Sequence, residues 1–167
     1  EAALAAIKPV QKPLKDLCDH LAKALADELP VLTRDGGFIA MGYQPGVDEA
    51  RRLRDESRRV IAGLQNSYRE DTGIKALKVK HNAVLGYHID VPAAHGDRLM
   101  TAPYAETFFH RQTLANSVRF STTELAELAG QISRAGEEAT GLEQEIFSTL
   151  CGEVLAQAEA VSRAAEA

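Results

Sequence analysis

The chain has no tryptophan, only two cysteines and only two methionines in 167 residues. Cys18 and Cys151 fit no CxxC or zinc-ligand spacing, which excludes a disulfide framework and a cysteine metal knuckle. They read as two reduced cysteines packed as small apolar side chains, and an intracellular setting follows. No apolar run is long enough to cross a bilayer. Glu1 to Lys8 lacks the basic start and apolar block of a signal peptide. The first residue is Glu rather than Met, so the chain reads as an excised piece of something longer, which intact mass against the full reading frame would check. What remains is ordinary for a globular protein: 45% hydrophobic, 26% charged, and long enough for one or two domains.

Acidic charge dominates only on average. The net charge of -5 argues against a general nucleic-acid binder, yet it is unevenly spread. Residues 1–71 hold eleven Lys/Arg against twelve Asp/Glu, a net -1. Residues 72–120 hold six bases (Lys75, Lys78, Lys80, Arg98, Arg111, Arg119) against three acids (Asp90, Asp97, Glu106), a net +3. Residues 121–167 hold two bases against nine acids, a net -7. A positive middle with an acidic tail bears on partners even where the total does not.

The pattern along the chain is helix, β insert, helix. Leu14, Leu17, Leu21 and Leu25 form a helical stripe. Pro9 and Pro13 upstream mark a break or first turn, and Pro30 ends the helix. Thr33 to Gly37 reads as a tight turn, Phe38 to Tyr43 as a short strand or a packed loop, and Pro45-Gly46 as another turn. Asp48 or Glu49 opens the next helix, with Ala50, Leu53, Ser57, Val60, Leu64 and Tyr68 near heptad spacing and Gly73 as its stop. A third helix starts at Ser121 or Thr122 with Glu124 placed for a capping box. It continues through Leu125, Leu128, Ile132, Ala135, Ala139, Leu142 and Ile146 in strict three-four steps. Gly130, Gly136 and Gly141 weaken it, and serve either bending or close backbone contact. Between the helices, Ile74, Leu77 and Val79, then Tyr87, Ile89 and Val91, read as strands around Asn82 and Gly86. Residues 108–113 and 118–120 form a second pair around Asn116-Ser117, and Pro92 to Pro103 reads as a loop.

The fold class is therefore α+β and predominantly helical: long antiparallel helices with a small antiparallel β module inserted at their tip. The divisions are 1–71, 72–120 and 121–167. On the insert, cations and small polar groups at exposed turns are what phosphate binding requires. Lys78 and Lys80 share a strand face, His81 and Asn82 sit at the adjacent turn, and Arg111, Thr113, Asn116, Ser117 and Arg119 supply a second row. The competing reading is the solvated face of a half-buried sheet. Tyr87, Phe109 and Phe120 would stack on bases in a single-strand binder, but fit better as the core of a small sheet. The arginines between Arg51 and Arg59 fit a solvated helix face paired with Asp55 and Glu56. The heptads serve either dimerisation or intramolecular pairing. His81, His88, His95 and His110 with Asp90 match no zinc spacing and accompany no nucleophile motif.

The residues Arg34-Asp-Gly-Gly-Phe-Ile-Ala40 with Gly42-Tyr43, Thr72-Gly-Ile-Lys75 with Leu77-Lys78-Val79, Asn82-x-Val84-x-Gly86-Tyr87-x-Ile89, and Arg111-Gln-Thr-Leu114 with Asn116, Arg119 and Phe120 resemble the MutS family of DNA mismatch-repair proteins. Four motifs in register make the resemblance specific. It implies the lever and clamp region: lever helices joining an ATPase core to a β clamp that touches the sugar-phosphate backbone of duplex DNA without reading bases. It strengthens the DNA-contact reading for the segment that carries Lys78, Lys80, His81, Asn82, Arg111, Thr113, Asn116, Ser117 and Arg119, with no catalytic or metal residues expected. No GxxxxGK[ST] phosphate loop occurs, so no cofactor is expected here, whereas ATP or ADP and magnesium belong to the full-length family. The Phe-x-Glu element that probes a mismatch is also absent. The resemblance further implies a cytoplasmic, nucleoid-associated protein without a membrane partner, dimeric at full length and working with other mismatch-repair proteins. Two departures shift the expected grip toward the first hairpin: Ala115 replaces a frequent Lys or Arg, and Lys80-His81 is more basic than the family's usual pair. The alternative is a helical protein–protein interaction module without direct DNA binding.

Overall fold

A computed structural model describes residues 2–166, with side chains for residues 12–159 and Ser162. The protein is α+β and mainly helical. Its elements are α1 (Ala2–Ala24), α2 (Pro45–Thr72), β1 (Lys78–Asn82), β2 (Gly86–Pro92), a one-turn α3 (Gly96–Leu99), β3 (Phe109–Thr113), β4 (Ser117–Ser121) and α4 (Thr123–Glu166). The four strands form one antiparallel sheet in the order β1-β2-β4-β3. The chain divides into two compact units, residues 51–136 and residues 1–50 with 137–167.

In the unit formed by residues 1–50 and 137–167, Ala24, Phe38, Ile39 and Leu150 are buried, with Leu21, Leu25, Tyr43 and Ile146 packed against them. Several local expectations shift here. The backbone of α1 is helical through Pro9 and Pro13, so neither breaks it. The helix ends at Ala24 rather than near Pro30, because Leu25 pairs with Ile39 in an antiparallel bridge. Ala26 N–H donates to Phe38 O at 2.9 Å and Ala40 N–H to Ala24 O at 2.8 Å. Tertiary pairing thus overrides helix propensity. Gly36 and Gly37 turn with φ of 65° and 84°, conformations open to glycine. That turn aims the N–H groups of Gly37 and Phe38 at Oε2 of the buried Glu143, 2.7 and 3.0 Å away. Pro45 and Gly46 are the first residues of α2 rather than a turn before it, the position where proline's missing N–H costs nothing. His20 joins three segments: Nδ1 lies 2.9 Å from Glu153 and Nε2 2.8 Å from the Tyr43 hydroxyl.

In the unit formed by residues 51–136, one core combines Ile61, Leu64 and Tyr68 of α2, Ile89, Val91, Val118 and Phe120 of the sheet, Leu125 and Ile132 of α4, and Ile74, Leu77, Leu99 and Phe108 from the connections. Tyr68 OH lies 2.7 Å from Thr122 Oγ1, while Gly136 lies beside Arg54, so α2 and α4 run antiparallel in this unit. The apolar stripe of α2 differs from the heptad expectation. Ile61 is buried, whereas Leu53 and Val60 are 44% and 50% exposed. Thr122, not Ser121, caps α4, its Oγ1 accepting from Leu125 N–H at 3.0 Å. Leu125 therefore occupies the third helical position, and Glu124 sits one residue out of register for a capping box. The stretch 92–103 is not plain loop. It carries the single turn α3, whose Leu99 is buried.

Candidate nucleic-acid interface

Each motif of the insert has a local physical cause. Thr72 Oγ1 donates to Tyr68 O at 2.6 Å and accepts from Ile74 N–H at 3.2 Å, while Gly73 turns at φ 66°, so the Thr-Gly-Ile sequence closes α2. Leu77 N–H then donates to Ile74 O at 3.1 Å, which makes 74–77 a turn rather than the first part of a strand. Two α2 side chains hold the strand that follows. Gln65 Oε1 accepts from Val79 N–H at 3.0 Å, and Arg69 Nε donates to Leu77 O at 2.7 Å. At the β1-β2 turn, Asn82 Oδ1 accepts from Val84 and Leu85 N–H at 2.9 and 2.8 Å, and Gly86 takes φ 65°.

The register sorts the side chains by face. Val79 pairs with Ile89 and Ile89 with Phe120, and Val91 pairs with Val118; these point to the core. By strand alternation the outer face carries a row of Lys80, His88, Ser121 and Phe109 and a row of Lys78, Asp90, Arg119 and Gln112. Beyond them, Pro92 pairs with Ser117. Apart from Phe109 the face is polar, and three of its members are cations.

Of the nine residues expected to touch DNA, Lys78, Lys80, Ser117 and Arg119 share this outer face. Lys78 is exposed. Lys80 donates to Asp90, and its side chain is 51% exposed. Ser117 pairs with Pro92, diagonally beside Asp90, whose carboxylate it helps to stabilise. Arg119 is half-buried, with Nη1 2.8 Å from Gln112 Oε1 and a buried Nε that has no protein partner. Asn82 has its side-chain oxygen committed to the turn. His81 belongs to the opposite side of its strand, with its ring 4.8 Å from that of Tyr87. Arg111 is exposed at a β-bulge between His110 and Gln112, outside the regular alternation. Thr113 is exposed, with Oγ1 2.9 Å from His110 Nε2. Asn116 is exposed in the β3-β4 turn and accepts the Ala93 N–H through its backbone oxygen. Among the aromatics, Phe120 is core and Tyr87 packs partly against it, but Phe109 is exposed rather than part of a sheet core.

Sequence reasoning missed the centre of this face. Asp90 is 9% exposed and lies among Lys80, Ser117 and Arg119. Burial by itself raises its carboxyl pKa. Hydrogen bonds from Lys80 and Ser117, with the charges of Lys80 and Arg119, outweigh that and hold it below the usual carboxylate value. The alternation of residues 87–91 already placed His88 and Asp90 together. What it lacked was the long-range pairing of β2 with β4 that brings Arg119 alongside. His88 is buried, with Nδ1 3.0 Å from Gly86 O and no protein partner at Nε2.

The class this fold defines is a mixed domain in which a small antiparallel sheet, basic on its outer face, is inserted between two long helices. The description "MutS family domain IV" matches residues 42–138, a stretch that contains the whole sheet. The DNA mismatch repair protein MutS of Rhodopseudomonas palustris strain HaA2 is 52% identical over 163 residues, covering 98% of this chain and 18% of that protein. The protein of the same name from Nitrobacter hamburgensis is 49% identical over 164 residues, covering 98% and 18%. That from Nitrobacter winogradskyi is 47% identical over 167 residues, covering 100% and 19%. The chain belongs to the MutS family, and it spans under a fifth of the length of these relatives. Among the described residues, no helix is long and apolar enough to cross a membrane.

Proposed function

We propose that this chain is the lever and clamp portion of a MutS-like mismatch-repair protein, and that its sheet grips duplex DNA through the sugar-phosphate backbone. The observation that carries this is the gathering of Lys78, Lys80 and Arg119 on one polar sheet face, with Arg111 bulging from the adjoining edge strand. Such a grip is electrostatic. Cations replace condensed counterions, so binding weakens with salt and depends little on sequence or on a mismatch. With a segment charge of only +3, the isolated affinity falls at about 10 to 100 micromolar or weaker, near the level of non-specific binders. Mismatch reading, and ATP hydrolysis with its ATP or ADP and magnesium, belong on this reading to the rest of a longer, dimeric protein that works with other repair proteins. The long helices α2 and α4 act as levers that pass nucleotide state to the clamp.

The test is a salt titration of binding to a fluorescent perfect duplex and its single-mismatch twin. Equal, salt-sensitive binding that disappears when Lys78, Lys80 and Arg111 are together changed to Ala supports a backbone clamp. A clear preference for the mismatch, or binding indifferent to the triple change, refutes it.

One observation favours a second reading, a helical interaction module. In the unit formed by residues 1–50 and 137–167, a groove of about 410 Å³ is lined, among the described residues, by Leu21, Leu25, Phe147, Leu150, Cys151, Val154 and Leu155. Exposed Leu155 and Val154 on its rim are the kind of surface a partner helix covers. That reading expects association that survives removal of residues 72–120.

A further inference from the structure

We infer that Asp90 is an internal competitor for DNA: it shares Lys80 with the phosphate backbone and so keeps the clamp's grip weak. The inference deepens the clamp reading and rests on it. Three observations carry it. Asp90 lies inside the cationic face, opposite Lys78 and Arg119 in the strand register, so any phosphate reaching those cations also approaches a carboxylate. Its side chain is 10% exposed, whereas that of Lys80, which donates to it, is 51% exposed. The Lys80 side chain is therefore half open to solvent while its ammonium is bound to Asp90. Finally, Asp90 does not depend on Lys80 alone. Arg119 is its cross-strand partner and Ser117 its diagonal neighbour on β4, and both help to stabilise the charge. Losing Lys80 to a phosphate thus leaves the carboxylate still solvated by protein groups, and the exchange avoids the heavy cost of stranding a buried charge.

A shared lysine contributes less to counterion release than a free one, because its charge is already balanced. Asp90 thereby sets how firmly the face holds a duplex. A clamp that opens and closes on DNA needs such a limit, since each further full phosphate contact makes release slower.

The test is a salt titration of perfect-duplex binding by the whole chain and by Asp90→Asn, Lys80→Met and the double variant, with circular dichroism confirming the fold. Asparagine keeps the shape and an acceptor oxygen for Lys80 but removes the charge. D90N should bind more tightly, and its log K against log salt should steepen by about 0.9, one phosphate's worth. Its advantage over the unaltered chain then shrinks about 3- to 4-fold between about 50 and 200 mM salt. On the K80M background the steepening should vanish. Unchanged or weaker binding by D90N, or the same steepening without Lys80, overturns the inference. Should D90N not fold, the unaltered chain still decides. The NMR signal of the Lys80 ammonium moves on saturation with duplex if the lysine is shared, and stays in place if it is not. Loss of binding in the Lys78, Lys80, Arg111 triple variant together with a null D90N result would sink this inference alone. Binding that ignores the triple change would sink the clamp itself.

Discussion

A Cβ on Gly96 would lie 2.6 Å from Val118 Cγ2, closer than real carbons approach, and Val118 is itself buried in the sheet core. The φ of Gly96 is -58°, so the requirement there is space rather than backbone freedom. Gly96→Ala should lose about 1–3 kcal/mol in urea unfolding, as overpacked cores do, and a Val118→Ala background should return part of it. Glu143 works by a different mechanism. It is buried, and its carboxylate accepts the N–H groups of Gly37 and Phe38. Glu143→Ala should cost about 2–3 kcal/mol, with faster hydrogen exchange at those two amides as its local signature. Asp90 adds a pH dependence whose sign is fixed by its lowered pKa. A carboxylate held below its unfolded value of 3.8 contributes stability that is whole above that value and is lost as pH falls through the lower folded one. The urea midpoints of the unaltered chain and of Asp90→Asn should therefore differ by a constant amount at neutral pH and converge below about pH 4. A gap that stays constant down to about pH 2 would show that the carboxylate's charge is not what matters.

Helix α4 runs for 44 residues with glycine at 130, 136, 141 and 152. Close backbone contact does not account for Gly141, since a Cβ there would meet nothing within 4 Å, and the same holds for Gly63 in α2. Each should gain up to about 1 kcal/mol of stability as alanine, read from the denaturation midpoint, because only helix propensity changes. At this scale the three-four period of α4 was legible as far as Ala139, with Leu125, Ile132, Ala135 and Ala139 buried as the spacing indicates, whereas beyond it Glu143 is buried and Leu142 only half-buried, because the Glu143 carboxylate meets the N–H groups of Gly37 and Phe38. The stripe of α2 was not. A heptad through Leu53, Ser57 and Val60 and the buried set of Ile61, Leu64 and Tyr68 overlap only at their ends, and the side that faces a core is chosen by tertiary packing. Likewise the alternation in β2 and the turns at Asn82 and Gly86 were local and readable. The neighbour relation β2-β4 was not, because residues 93–108 separate the two hairpins and leave no periodic trace. The candidate site inherits this division. Its cations are visible as residues, but the carboxylate set between them appears only once the strands are paired.

The molecule as a whole is acidic, with net charge -5, while the segment that holds the sheet is +3. These two charges act over different ranges. Contacts with phosphate operate at hydrogen-bond distance and strengthen as salt falls. Repulsion between the acidic chain and DNA operates through solvent and is cut off at the Debye length, about 10 Å at 0.1 M salt but about 30 Å at 0.01 M. Above roughly 50 mM salt only the local cations are felt, and log K should fall linearly with log salt at about -0.9 per phosphate engaged. Toward about 10 mM the repulsion between the chain's net negative charge and DNA is no longer screened, and the line should bend toward zero slope. Replacing Glu137, Glu138 and Glu145, all exposed, with glutamine should straighten the low-salt end and leave the slope above about 50 mM unchanged. A change in the high-salt slope would instead mean that these acids lie close enough to the bound duplex to act as direct contacts, because at that ionic strength only groups near the phosphates are felt.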